Sequence, residues 1–407
     1  MRLRVFTSTT LQLLLALLCG ALLGVLDPQL AVSMKPLSDG FIRIIGWLMP
    51  VMMFLLIASG VAGLPSGQRG VAGRMVLYFQ VMAVIALALA GLVAQLTQPG
   101  ADTLTTPSAA TLIIAPVADT GFSWASAGKV LVHALTQNPI LQIMLAGLLT
   151  GLLLGRARHH RYSRPLHKAL ERAVDWLFQG LRGVLKFAPV AAFGAIAFTI
   201  GKFGPAAALP LIKFIVVMYL ASAAFIVLVL APIAQVCGLP LWSLVKHIKE
   251  QLLLVTFTGS SVAALPGLIE KMQTLGCDRQ LTRLVLTTGY TFNLSGSNIY
   301  LIIAVLFLAQ MAGIELTGAQ LLTLLLISLV TSLGSTSMAG SAFFTLIATL
   351  NLLHIVPVDS VGLLLGVERL MKCRVLTNVL GNCVACLAIT RWQRASERGA
   401  LTARASS

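Results

Sequence analysis

Charge is what this sequence has least of. Of its 407 residues only 10% are charged, and 13 are acidic. Soluble domains carry roughly 25% charged residues, so an ordinary soluble protein is excluded. Histidine is as rare as cysteine, with 6 of each. An intramembrane hydrolase would need a nucleophile beside a base, and no His or Asp accompanies Ser260 or Ser335. The cysteines (Cys19, Cys237, Cys277, Cys373, Cys383, Cys386) form no evident extracellular framework. Cys383 and Cys386 have no second pair and no nearby His, so their spacing reads as packing within a helix rather than metal or redox chemistry.

What is present is apolar. The hydrophobic fraction is 57% and the mean hydropathy +0.92. Uncharged stretches cover 5–26, 44–68, 75–101, 130–155, 214–245, 284–314 and 316–358. Each exceeds the ~18–20 residues of one membrane crossing, and the last is long enough for two passes or a re-entrant loop. These runs predict an all-α polytopic membrane protein with one domain over 1–407 and no soluble appendage. The first stretch, Leu11–Leu26, has no obvious small-residue cleavage site and ends in Asp27-Pro28, so it is expected to stay as a first helix.

The net charge of +16 is topological, not a nucleic-acid footprint. With Met1–Arg4 placed inside, most basic residues fall on that side, in 69–74, 156–172, 246–283 and the tail 392–407. Only Lys35, Lys129 and Lys202 fall outside. That asymmetry follows the positive-inside rule and predicts cytoplasmic N- and C-termini. Helices are expected at about 9–26, 42–64, 74–96, 138–155, 176–200 and 209–236. Residues 97–128 are expected as an external loop and 156–172 as a basic cytoplasmic connector. Gly147, Gly151 and Gly155 recur every fourth residue, which permits close helix approach.

The C-terminal half breaks the pattern three times. Thr258–Ser261 interrupts 251–269, Asn293–Ser297 interrupts 284–311, and Thr331–Ser341 interrupts 316–350. Backbone freed from a helix inside hydrocarbon must find protein or water partners. Polar, Gly-containing breaks therefore point to chain lining a cavity, and two such segments in corresponding places point to a transporter's substrate site.

The last helix supplies the charge. Glu368, Arg369, Lys372 and Arg374 precede an apolar stretch holding Thr377, Asn378 and Asn382. Arg374, Asn378 and Asn382 recur at four-residue spacing and share one helix face. Arg374 lies about 25 Å of helix before Arg391, which puts it well inside the protein. An ionisable group at that depth is a functional candidate, and a guanidinium fork suits a carboxylate.

Seven strings then carry a resemblance. They are Met34–Gly40, Ala188–Gly194 with Ala197–Lys202, Ser260-Ser261 with Leu265-Pro266, Gly289–Ser297 and Arg374–Asn382. In this order and combination the chain resembles the dicarboxylate/amino-acid:cation symporters, which share the glutamate-transporter fold, and within them the bacterial C4-dicarboxylate transport proteins. The resemblance implies eight transmembrane helices plus two re-entrant helical hairpins in inverted repeats, at about 250–272 and 318–350. It also implies a homotrimer of elevator-type subunits, in which interleaved scaffold and transport subdomains slide past each other. By matching position, Ser260, Ser261, Met338, Gly340 and Ser341 would form the hairpin tips. Ser297 and Asn378 would line the pocket, and Arg374 would grip the distal carboxylate. The cation positions carried over are Gly289, Thr291, Asn293, Ser295, Ser332, Ser335, Asn378 and Asn382.

Departures from the family pattern refine this. Amino-acid carriers place an Asp one turn before the arginine for the substrate's ammonium. Here the stretch reads Leu370-Met371-Lys372-Cys373, with one residue fewer between Glu368 and Arg374 than the family pattern. A dianionic dicarboxylate fits better than an amino acid. Ser295 stands where the family has a cation-binding aspartate, Ala83 and Val84 where relatives offer hydroxyls, and Val262-Ala263 where dicarboxylate relatives carry Glu-Ser. Hard cations prefer oxygen ligands, so a third sodium site of the usual kind is not expected. Symport with fewer ions, proton coupling and exchange without a cation each fit these residues.

The expected protein is a secondary transporter of the cytoplasmic (inner) membrane. It would carry C4-dicarboxylates such as succinate, fumarate and malate in Na+- or H+-coupled symport, with the 318–350 hairpin as external gate. No cofactor and no nucleic-acid partner is expected. The alternative is an exchanger or sensor-like relative that binds another small organic anion without classical sodium coupling.

Overall fold

The computed structural model of the protein describes residues 9–62, 69–101, 139–157, 163–204, 208–259, 261, 264–332, 341–353, 356, 361–368 and 370–405. Among them every regular element is helical.

The first half supplies an outer bundle. α1 (Thr9–Leu26) leads into α2 (Pro28–Ser33), then α3 (Lys35–Ala62) and α4 (Arg69–Thr97). After residues outside the description come α5 (Pro139–Arg156), α6 (Ser163–Leu185), α7 (Ala188–Phe203) and α8 (Ala208–Phe225). Asp27 closes α1 and caps α2: its Oδ1 accepts from the Leu30 amide at 3.0 Å, and Pro28 sets the first-turn φ. α1, α2 and α3 all pack on α7, while α3 and α5 pair. Missing Cβ atoms permit these seams. A Cβ on Gly20 would lie 2.7 Å from the Phe193 carbonyl, and one on Gly194 2.7 Å from that of Met34. Gly147 and Gly151 sit against Phe54 and Ala58 of α3, as their spacing predicts.

One expected boundary is corrected. A single helix over 176–200 and a connector over 156–172 become two helices, α6 and α7, with a turn at Lys186-Phe187. Pro189 has no N–H to continue α6, and its fixed φ suits the first turn of a new helix.

The second half wraps a central helix. α8 continues through a π turn at Ile226–Leu230 into α9 (Ala231–Val236), where Pro232 removes a helical donor. There follow α10 (Leu241–His247), α11 (Lys249–Thr258), α12 (Leu265–Thr274), α13 (Arg279–Phe292) and α14 (Ser295–Met311). The chain ends with α15 (Gly318–Thr331), α16 (Ser341–Leu353), α17 (Gly362–Glu368) and α18 (Lys372–Ala405). Two helical segments, α11 and α12, meet where Gly267 abuts Gln251. α15 and α16 meet where the Thr331 and Thr349 hydroxyls lie 2.8 Å apart. α4, α8, α15, α16 and α18 surround α14, every residue of which from Ser295 to Ala309 is buried.

Among the described residues, four helical stretches are long and apolar enough to cross a membrane: Gly73–Thr97, Leu209–Val236, Arg279–Met311 and Lys372–Ala395. The first two have 33% and 39% of their most apolar window buried, and the last two 94% and 89%. The outer spans thus leave Leu92, Leu96, Ile212 and Val216 exposed, while the last two are enclosed by protein. The chain is a multi-pass membrane protein. Its chemistry is concentrated where the two enclosed spans meet.

Candidate functional site

The site begins at a fault in the helix. Asn293 and Leu294 leave helical conformation, at φ −122°, ψ 67° and φ −106°, ψ 55°, and separate α13 from α14. The first amides of α14 consequently lack intrahelical acceptors, and Leu294 has no capping side chain. The missing acceptor comes from α18. Asn378 Oδ1 accepts from the amides of Gly296 and Ser297 at 2.8 and 3.4 Å, and its Nδ2 donates to Ser297 Oγ at 3.2 Å. Gly296 makes the approach feasible, because a Cβ there would strike the Arg374 carbonyl.

Arg374 lies in the first turn of α18 and is 4% exposed. Its Nη1 donates to Ser297 Oγ at 3.3 Å and its Nη2 to Glu368 Oε1 at 2.9 Å. Nε is buried with no partner. Glu368 ends α17, the short helix that packs on α7 of the outer bundle, and is 6% exposed. Between them, Leu370 and Met371 turn the chain, and Tyr219 of α8 donates to the Leu370 carbonyl at 3.0 Å. The ion pair therefore ties the outer bundle to the enclosed spans.

One turn deeper is a second, neutral cluster. Asn293 Nδ2 donates to Asn382 Oδ1 at 3.0 Å, and Gly289 gives that amide room. Asn293 Oδ1, Ser295 Oγ and Asn382 Nδ2 are buried and unpaired. A Cβ on Gly381 would stand 3.9 Å from both Asn293 Nδ2 and Ser295 Oγ, which places Ser295 beside the bonded Asn293–Asn382 pair. The cluster offers a cation oxygens but no formal charge. Among the described residues, no group of three or more His, Cys, Asp or Glu could hold a metal ion.

The structure thus joins Ser297, Arg374 and Asn378 in one network, and Gly289, Asn293, Ser295 and Asn382 in another. Ser261 is fully buried at the start of the α12 arm, its hydroxyl unpaired. Ser332 donates back to the Leu329 carbonyl at 2.8 Å, and Thr291 is half-buried on the last turn of α13, so neither bonds to the Asn293 cluster. Ser260, Ser335, Met338 and Gly340 lie outside the described residues. Ser341 begins α16, but its side chain lies outside them too. Cys383 and Cys386 are buried within α18, in the packing role their spacing predicts.

Two residues were missed by the sequence reading. Glu368 opens the charged stretch before the last helix, but the sequence assigns it no partner. Its signal was its position, six residues before Arg374 across a turn. Tyr300 lies one helical turn after Ser297 and is fully buried with its hydroxyl unpaired.

Comparison with known proteins places the chain in a family. The model of the sodium:dicarboxylate symporter family matches residues 9–392. The chain belongs to that family. Relatives of this symporter-family chain include a C4-dicarboxylate transport protein of Burkholderia thailandensis, 40% identical over 405 residues, covering 96% of this chain and 94% of the relative. C4-dicarboxylate transport protein 1 of Ralstonia nicotianae is 38% identical over 398 residues, covering 95% and 92%. Family membership makes the protein a membrane transporter, not an enzyme.

Proposed function

We propose that this protein carries C4-dicarboxylates such as succinate, fumarate or malate across the cytoplasmic membrane. The observation that carries this reading is the guanidinium of Arg374, buried beside the α13–α14 break with its Nε unused. A planar fork of donors with an open position matches one carboxylate of a small diacid. The absence of an acid from Leu370 to Cys373 leaves nothing to pair with an amino acid's ammonium there. The unpaired Ser261 hydroxyl supports a contribution from the first hairpin.

In the same reading, α11–α12 and α15–α16 are the arms of the two re-entrant hairpins. Eight spans complete the transporter, and both termini lie in the cytoplasm. Three copies assemble, and in each an elevator motion carries the enclosed helices past the outer bundle. The 318–350 hairpin gates the external side. The neutral Asn293–Ser295–Asn382 cluster supports coupling to fewer sodium ions than an acidic cluster would hold, or to protons.

Labelled-succinate uptake into proteoliposomes tests this. Concentrative uptake under an imposed sodium or proton gradient establishes symport and identifies the ion. Exchange without concentration would make the protein an antiporter or facilitator. Binding without flux would make it a sensor-like relative, and neither binding nor uptake of any C4-dicarboxylate would overturn the substrate assignment.

A further inference from the structure

We infer that Glu368 is an internal counter-carboxylate that the substrate displaces and that then takes up the proton moved with it. The inference rests on the dicarboxylate reading and deepens it, since it names the coupling ion and the residue that carries it.

The geometry of the fork is the first argument. Nε and Nη2 share the side edge of a guanidinium, the edge that receives a carboxylate through two parallel bonds. In this structure Glu368 holds Nη2 at 2.9 Å, Ser297 holds Nη1, and Nε is unpaired. Glu368 thus bonds one of the two nitrogens of that edge and leaves the other open. A substrate carboxylate that takes both Nε and Nη2 makes two bonds where Glu368 makes one, and as a second anion on the same nitrogen it repels Glu368 from Nη2.

The second argument is what expulsion leaves behind. Among the described residues Glu368 is the only buried acid and Arg374 the only buried base. A carboxylate separated from its only buried counter-ion is a bare charge in a low-dielectric interior, and such groups neutralise. Here a proton from the water on the open side adds to a Glu368 oxygen, forming the O–H bond of a neutral acid. When the substrate leaves on the other side, Arg374 recaptures the carboxylate and the O–H gives its proton to that side.

Other charged groups near α17 do not replace Glu368 in this role. Within the next turn, Lys372 and Cys373 carry no acid. The helices packed on α17 contribute Lys202 from α7, Lys35, Asp39 and Arg43 from α3, and Lys213 and Tyr219 from α8. Asp39 is the only acid in that set, and it faces Lys35 at 3.7 Å near the surface. The neutral cluster around Ser295 holds no charge to balance a dianion either.

Calorimetry on the purified protein decides the matter. Fumarate is titrated in buffers of different ionisation enthalpy, from about pH 6 to 8, where both its carboxyls stay ionised. Wild type should take up about one proton per fumarate bound, and its Kd should fall about tenfold for each unit the pH is lowered. Glu368→Gln should take up none and bind fumarate with a Kd that no longer varies with pH. Glu368→Asp should keep the proton, and Asp39→Asn should leave the count unchanged. Fumarate binding without proton uptake in wild type, or uptake that survives Glu368→Gln, overturns the inference while leaving the transport reading intact. Absence of any fumarate or succinate binding in wild type overturns both. Should Glu368→Gln not fold, the wild-type count together with Glu368→Asp decides: near one supports the inference, and zero overturns it.

Discussion

Asn378 caps a helix to which it does not belong. Its carboxamide oxygen lies 2.8 Å from the Gly296 amide, and its nitrogen lies 3.2 Å from Ser297 Oγ, across 82 and 81 residues of chain. An N-cap is ordinarily supplied by the residue just before the helix. Here the break at Asn293-Leu294 leaves the start of α14 without one, and α18 supplies it. Ser297 and the last helix are thereby locked in one register.

Replacing that cap should weaken both fold and site. Asn378→Ala leaves two buried amides without their acceptor, at about 1–3 kcal/mol. A clear drop in the detergent-solubilised melting temperature is expected, with loss of dicarboxylate binding. Asn378→Asp keeps the acceptor and should melt closer to wild type, yet bind a dianion more weakly because it adds a like charge. Equal melting temperatures for Asn378→Ala and wild type would show that the cap contributes nothing.

The Arg374–Glu368 pair predicts a rescue. Arg374→Ala strands a buried carboxylate, a loss on the order of 3–5 kcal/mol. The double substitution with Glu368→Gln should recover part of that stability, since no bare charge remains, but should not recover binding. Thermal unfolding reads the first effect and succinate titration the second. Unchanged succinate affinity in Arg374→Ala would remove Arg374 from the site.

Two glycines should rank in a definite order. A Cβ at Gly296 meets the Arg374 main-chain carbonyl, which cannot move without shifting α18, whereas a Cβ at Gly289 meets the Asn382 side-chain amide. Overpacking of this kind costs about 1–3 kcal/mol. Gly296→Ala should be the more destabilising and should impair binding. Gly289→Ala should be milder and act on ion dependence. The reverse order in melting temperature would contradict the packing described here.

Ser295→Asp places a carboxylate among Asn293, Asn382 and Gly381. A buried, unpaired acid is costly, so the variant should be less stable than wild type in choline chloride. It should regain stability in sodium chloride if the surrounding oxygens complete a cation shell. A melting temperature that ignores sodium would mean that more than one residue separates this cluster from a cation site.

How much of this was legible in the chain follows from where each piece of information resides. Apolar runs, the basic asymmetry, the break at Asn293–Ser297 and the shared face of Arg374, Asn378 and Asn382 are local properties. Composition, helical period and membrane depth suffice to read them. Even the split between α6 and α7 was marked, by Pro189, although the reading ran one helix through it. The partners of the buried polar groups were not legible. Glu368 holds Arg374, Asn378 serves α14 as its cap, and Asn293 joins Asn382 while Ser295 stays unpaired. Each relation depends on how closely α13, α14 and α17 approach α18, which at the first two Gly289 and Gly296 permit. The sequence by itself determined that a membrane transporter would carry a polar, arginine-bearing interior. Only the tertiary structure decided which donors and acceptors are already matched and which are left open, because a buried hydrogen bond is made by proximity in space and not by spacing along the chain.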